Sequence, residues 1–458
     1  MVSTKIPRHP TGEIADRIMK IVPYELGTTN DLLTSRAGLL CLSQLMNSIG
    51  FSDLADQHFP APNSNRGFKP SVFVDSVMFM LHEGGKCLDD LRYIRNDDAL
   101  RKLIGLEQVP ESDTLGDWLR RIGQTGVQSC VEVNRKLLTL ALHKCRRVVL
   151  DIDASFIEAD KKSAQYSYLK SKGYMPMVGH IAQTGQIVAV DFREGNVAPA
   201  TDNLVFIHQC EAALPEGVEL DAVRIDAAGF QVAIIDELID RKLKFSIRAK
   251  MSRDLKELID HQTEDQWEPL LNHQGQVVER EHTTRAVHTM NDSRHAFSVV
   301  IQRRLIDGQQ SLDFDLVDEQ TEVVQSGSYL YRAIAISEHN LTDSEWIHWY
   351  NQRGEDSENR IKELKHDFAA SNMPCDDFDA NALFFSLCAL AYNLFALLRM
   401  HLPARFESSR AKTIRWRLYG LAGKVVTHGR QLFLKLKNAH YELLTEILTP
   451  LQQMAQAP

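Results

Sequence analysis

The spacing of apolar and polar positions along the chain changes its rhythm several times. Over 34–143 apolar residues recur at helical intervals, broken by the P-A-P-N-S-N-R-G turn at 60–67, by Gly84-Gly85 and by Pro110. Leu88, Leu91 and Ile94 resume the repeat, and S-D-T-L-G-D-W-L-R-R-I at 112–122 reads as a capped helix with Arg120 and Arg121 exposed. At 147–153 the texture becomes that of a buried strand, R-V-V-L-D-I-D, in which alternation puts Asp151 and Asp153 on one side. Segments 175–182 and 186–192 predict a hairpin around Thr184-Gly185. A helix over 203–214, a strand over 220–226 ending in an acid, a helix over 230–243 and a strand over 245–248 follow. That order predicts a mixed sheet covered by helices.

Beyond 250 the pattern predicts extended, partly polar strands at 277–288, 296–305 and 328–337, a β-rich insertion before the next helix. Thr342 stands three residues before Glu345, the capping-box spacing, and opens an amphipathic helix. Ile361, Leu364 and Phe368 share its apolar face, while Glu358 and Lys365, seven apart, line up at the edge of that face. The most apolar run, 383–398, is short for a membrane span and contains Ser386 and Asn393, so it reads as a buried helix. The chain therefore divides into a helical region at 1–145 and a first part of a sheet-based core at 146–249. A β-rich insertion at 250–340, a second part of the core at 341–400 and a basic helical C-terminal region at 401–458 follow.

With 458 residues there is room for two or three domains and a large core, and 44% hydrophobic with 25% charged residues is ordinary for a globular protein. Seven cysteines are dispersed without a C-x-x-C pair, which points to a reducing compartment and away from a zinc site. The first residues lack the apolar core of a signal peptide, so a cytoplasmic location without a membrane partner is expected. A net charge of −9 sits awkwardly with a nucleic-acid partner. Charge is segregated, however: ten Lys and Arg against the single acid Glu407 give +9 over 399–437. Such a local stripe governs phosphate contact more than the total does. Arg415, Arg417 and Lys424 lie within it and are candidate DNA contacts; a solvated basic face without a partner is the alternative.

Asp153 and Asp226 end predicted strands, and Glu358 sits on a predicted helix. Three carboxylates converging from a sheet and a helix suit hard divalent cations, which take a few oxygen ligands while keeping water and substrate phosphate. Two such ions serve in-line phosphodiester displacement. Asp151, on the same side as Asp153, competes with it, and Glu355 competes with Glu358. The bland alternative for 350–365 is a charged face laced with pairs such as Glu358/Lys362. His180 and His428 have no metal-ligand spacing. No phosphate-loop glycine pattern and no Ser/His/Asp arrangement is present.

The stretch Y-N-Q-R-G-E-D-S-E-N-R-I-K-E-L-K at 350–365 resembles the Y-R-E-K signature, Y-x2-R-x3-E-x6-K, of DDE transposases from bacterial insertion sequences. Tyr350, Arg353 and the gap from Glu358 to Lys365 match. Four residues instead of three separate Arg353 from Glu358, and the strict spacing falls on Ser357, which is no carboxylate. Glu358 is therefore taken, with a bulge or bend near Gly354 expected to absorb the extra residue. D-I-D-A-S at 151–155 resembles the family's first-aspartate strand and selects Asp153. V-R-I-D-A-A-G-F at 223–230 resembles its second and selects Asp226. S-A-Q-Y-S-Y-L-K-S-K-G-Y-M-P-M-V-G-H, R-E-G-N and T-I-R-W-R-L are similar to segments of the thirteen-eighty family of insertion sequences.

The resemblance implies an RNase H-like mixed sheet with helices on both faces, interrupted by the β-rich insertion. It further implies metal ligation by Asp153, Asp226 and Glu358, with Mg²⁺ as cofactor and Mn²⁺ as a substitute. The implied activity is nicking at transposon ends and joining of the freed 3′-hydroxyl to target DNA by a homodimer assembled on DNA, in the bacterial cytoplasm at the nucleoid. Tyr350, Arg353 and Lys365 would contact DNA at the cleaved end. Two other readings keep parts of this picture: a metal-dependent nuclease without strand transfer, and a catalytically inactive DNA-binding relative.

Overall fold

The computed structural model describes residues 28–454 except 65, 307–322, 327 and 339; within 343–367 the side chains of 355–358 are also outside the description. The N-terminal helices include α1 (Pro70–Glu83) and α2 (Ser112–Ala141). Gly84, at φ +92°, ends α1 in the left-handed conformation that favours glycine, which is why the Gly84-Gly85 pair breaks the helix. Arg120 and Arg121 on α2 are exposed.

The sheet begins with β1 (Arg147–Ala154), β2 (Met177–Ile181) and β3 (Ile187–Asp191). Helix α3 (Asn203–Ala212), β4 (Glu219–Ile225), α4 (Val232–Asp240) and β5 (Lys244–Arg248) come next. Then follow β6 (Glu268–Leu271), β7 (Val277–Thr289), β8 (Ala296–Leu305), β9 (Val324–Ser326) and β10 (Tyr329–Ile336). Among the described residues these ten strands form one sheet in the order β6-β7-β8-β10-β5-β4-β1-β2-β3, with β9 on β10. Only β1/β4 and β4/β5 pair in parallel. The insertion strands extend the same sheet, because Ile334 and Ile336 of β10 pair with Arg248 and Ser246 of β5.

Strand alternation gives the two faces different chemistry. Leu150, Ile152, Val223, Ile225, Phe245, Ile247, Ala333 and Ala335 pack with Phe206 and Ile207 of α3 and Ile234 and Ile235 of α4. The opposite set carries Asp151, Asp153, Arg224, Arg248, Gln302 and Arg332 together with Val300, Ile334 and Ile336. Helix α5 (Asp343–Asp367) lies on this mixed face, seating Trp346 and Ile347 on Val300, Ile334 and Ile336. It starts at the expected capping box: Thr342 Oγ1 accepts from the Glu345 N–H, and Glu345 Oε2 accepts from the Thr342 N–H at 2.7 Å. Ile361, Leu364 and Phe368 are buried as the periodicity predicts. The bend expected near Gly354 is not there; α5 stays helical through it. Glu358 therefore stands about 140° around the helix from Arg353, where the strict spacing would give about 40°.

Helix α6 (Phe378–Met400) is long and apolar enough to cross a membrane, yet its apolar stretch is entirely buried, packed against the N-terminal helices and α5. The C-terminal region departs from the expected all-helical form. β11 (Gly423–His428) and β12 (Gln431–Lys435) make a hairpin that adds to the short strand Leu32–Thr34. The cause is local: V-V-T is β-branched, and Gly429 and Arg430 both take positive φ (56° and 65°), the geometry of a tight hairpin turn. Helix α7 (Asn438–Met454) closes the described chain.

Candidate active site

Ile152 of β1 pairs with Ile225 of β4 in parallel, so the two strands end in step and Asp153 and Asp226 follow side by side. Both are half-buried. Asp226 caps the turn Ala227–Gly229, its Oδ1 accepting from the Ala228 N–H at 3.0 Å. That turn needs the glycine of V-R-I-D-A-A-G-F, because a Cβ on Gly229 would come within 2.6 Å of Ile225. Gln231 pins the turn from outside, donating to the carbonyls of Ala228 and Ala200.

Arg353 comes down from α5 onto the pair of acids. Its Nη2 donates to the Ile152 carbonyl at 2.8 Å and to Asp153 Oδ1 at 3.2 Å. Only 8% of the residue is exposed. Burial works against its charge, but Tyr350, Asp153, Asp226 and Asp151 outweigh that effect and hold its pKa above the ordinary value. In this structure the guanidinium is turned inward onto Asp153.

Lys365, three turns further along α5, donates through Nζ to the Phe156 carbonyl at 2.8 Å and Ser155 Oγ at 3.1 Å. Burial lowers its pKa, against the pull of nearby Asp153. It stands at the start of the loop after β1. Tyr350 is half-buried, with the Arg248 guanidinium 5.9 Å from its ring centroid. Glu358 belongs to α5 on the same edge as Lys365, about 10.5 Å before it along the axis. Its side chain, like that of Glu355, lies outside the described residues. Among the described residues, no group of three His, Cys, Asp or Glu assembles at metal-binding distances.

Asp151 takes a different part. It is fully buried and holds Arg224 by two bonds of 2.7 and 2.8 Å, while Arg224 donates to the Trp349 carbonyl at 2.6 Å. The pair thus ties β1, β4 and α5 together. Sequence reading passed over Arg224, although an arginine inside a buried strand, on the face that carries Asp151 next door, is the mark of an internal ion pair.

The basic stripe divides in the same way. Arg415 donates to the carbonyls of Leu81, His82 and Asp367 and has its guanidinium 5.4 Å from the Phe368 ring centroid. It caps the C-terminal ends of α1 and α5 at once, where backbone carbonyls favour a cation. Arg415 thus acts as an internal clamp between the two helix ends. Lys424 on β11 pairs with Asp31 at 2.8 Å. Arg417 is exposed, beside a Trp416 that is 85% exposed. His180, which lacks metal-ligand spacing, is fully buried on β2 and its pKa is lowered to about 3 by burial first and then by Arg360 and Arg353. His428, which lacks it too, is exposed on β11.

Known proteins were compared with this chain at three levels. Among solved structures it is similar to a piggyBac transposase synaptic complex with hairpin DNA, determined by cryo-EM, at 12% identity with a TM-score of 0.42, covering 83% of this chain and 79% of that one. No curated protein matches. The family model "Transposase DDE domain group 1" matches residues 25–456, nearly the whole length. Two aspartates in step at the ends of parallel strands, under a helix that brings basic side chains to them, thus belong to a member of the DDE transposase domain family, group 1.

Proposed function

We propose that this protein binds the ends of an insertion sequence of the thirteen-eighty type, nicks them and joins the freed ends to target DNA, using Asp153, Asp226 and Glu358 in an RNase H-like core. The observation that carries the reading is the pairing of Asp153 with Asp226 at one end of the sheet, beneath α5. Two neighbouring carboxylates are the donor set that a hard divalent cation takes, and Glu358 on α5 would complete it. Bound Mg²⁺, or Mn²⁺ in its place, supplies Lewis acidity toward the phosphoryl oxygen and a lowered pKa for the attacking oxygen.

The chain's own residues prepare the site. Arg353 fixes Asp153 and sets a positive charge beside the two aspartates. The Asp151–Arg224 pair fixes the height of α5 over the strand ends. Lys365 and Tyr350 stand near the acids, ready for the phosphates flanking the cut. Arg417 extends the DNA contact surface, and a homodimer in the cytoplasm brings two ends together.

The test is Mg²⁺-dependent nicking of a labelled duplex taken from the DNA flanking the coding region. Asp226→Asn and Glu358→Gln should each abolish nicking while metal-free binding of the same duplex persists. Normal cleavage by either variant overturns the catalytic reading. Cleavage by the wild type without strand joining would leave a nuclease.

A further inference from the structure

Beyond Asp226 the sheet carries a second cluster of charge. Arg248 follows Ile247, which pairs with Ile225, so it is the neighbour of Asp226 one strand over, about 4.8 Å across the sheet. Arg332 of β10 lies one strand further and two residues along, since it is Ile334 that pairs with Arg248. Gln302 of β8 pairs with Arg332, and Arg304 follows it on the same face. From β1 to β8 this face thus carries acid, acid and arginine side by side, then two further arginines that run diagonally outward, Arg332 two residues along from the partner of Arg248 and Arg304 two residues beyond the partner of Arg332.

The three arginines line a cavity of about 190 Å³ with Glu281, Gln302 and Tyr331. Among the described lining residues Glu281 is the single carboxylate. It does not cancel the cations; it orients one of them. Glu281 accepts from Gln302 Nε2, and Gln302 Oε1 accepts from Arg332 Nε. Gln302 is 3% exposed, so this relay is fixed by packing. Arg332 is held to about 10 by burial and by Arg248 and Arg304, against Glu281 and Tyr350. Arg248 faces the Tyr350 ring and puts the cavity one helical turn from Arg353. A guanidinium with a fixed Nε presents its remaining N–H groups as a rigid fork, the geometry that matches a phosphate.

We propose that this cavity is a phosphate subsite, holding a phosphodiester of the bound DNA beside the one cut at Asp153 and Asp226. The subsite rests on the function proposed above. At roughly 12 Å from Asp226 for Arg332, two strands across and two residues along, it engages a neighbouring phosphate and sets the path of the strand through the site.

Binding of a short labelled duplex without divalent ions, measured by anisotropy over a salt series, tests it. Arg304→Gln and Arg332→Gln should each weaken binding and flatten the plot of log affinity against log salt by about 0.9, the release from one phosphate. Arg332→Lys should retain the slope and lose affinity, because the charge stays and the fork goes. Thermal melts run alongside: a lower Tm with an unchanged slope makes the arginines an internal network and overturns the subsite. Asp226→Asn, assayed separately for Mg²⁺-dependent nicking of the same duplex, separates the two claims. If it cleaves normally, the functional reading fails; if it is dead while both arginine variants keep the wild-type slope, only the subsite fails.

Discussion

Asp151 and Asp153 are two residues apart on one strand and one face, so replacing each with asparagine tests which of them carries the chemistry. Asp151 is fully buried against Arg224, itself 2% exposed. Asp151→Asn leaves that guanidinium buried without its counter-charge, and breaking one side of such a pair costs about 3–5 kcal/mol. At roughly 2 °C per kcal/mol for a large domain, the thermal midpoint should fall by about 6–10 °C. Replacing both partners, Asp151→Leu with Arg224→Met, should recover most of that loss, since a buried pair and an apolar pair of similar volume are close in energy. Only the Arg224 bond to the Trp349 carbonyl is then missing.

Asp153→Asn should behave in the opposite way. Its side chain is 26% exposed, and Arg353 keeps the Ile152 carbonyl and the nearby charges of Asp226 and Asp151, so the stability loss should be clearly smaller than for Asp151→Asn. Nicking, by contrast, should disappear. Melts and Mg²⁺-dependent nicking of the same preparations read both effects, with activity taken well below the lowered midpoint. If Asp151→Asn were stable and dead while Asp153→Asn still cut, the roles would be exchanged and the register-based assignment refuted.

Arg415→Ala should destabilise the protein by on the order of 3 kcal/mol, because it strips the carbonyls of Leu81, His82 and Asp367 of a charged donor, yet leave the salt slope of DNA binding unchanged. Arg417→Ala should do the reverse, lowering the slope by about 0.9 without moving the melt. A lowered slope for Arg415→Ala would return it to the DNA surface. Asp75 is pushed up to about 7, mainly by burial, with Ser52 pulling it down and Asp56 raising it. A carboxyl raised in the folded state favours folding most below its unfolded value near 3.8, and that contribution is lost as pH rises through about 7. Asp75→Asn should therefore gain stability relative to the wild type as pH climbs from 4 to 7; a constant difference in midpoint across that range would mean Asp75 is ionised throughout.

Period and punctuation in the sequence determined the local elements, the hairpin at Thr184-Gly185, the capping box at Thr342 and the buried helix α6. Those signals are short-range, fixed by φ/ψ preference and burial within a few residues. Two strand-terminal aspartates were legible for the same reason, since an acid ending an apolar run is a local pattern. What the tertiary structure decided is how residues far apart divide the available charge. Asp151 and Asp153 share a face, and only the neighbouring strand, with Arg224, makes one an internal anchor and leaves the other half-open. Arg353 and Arg415 look like phosphate ligands along the chain, but the groups they meet are the Ile152 carbonyl and Asp153 in one case, and the ends of two helices in the other. The row Arg248, Arg332, Arg304 was invisible, because its members are separated by 84 and 28 positions in sequence and adjoin only when β10 docks on β5. A charged side chain takes its role from what lies within a few ångströms after folding, and long-range strand pairing sets that neighbourhood.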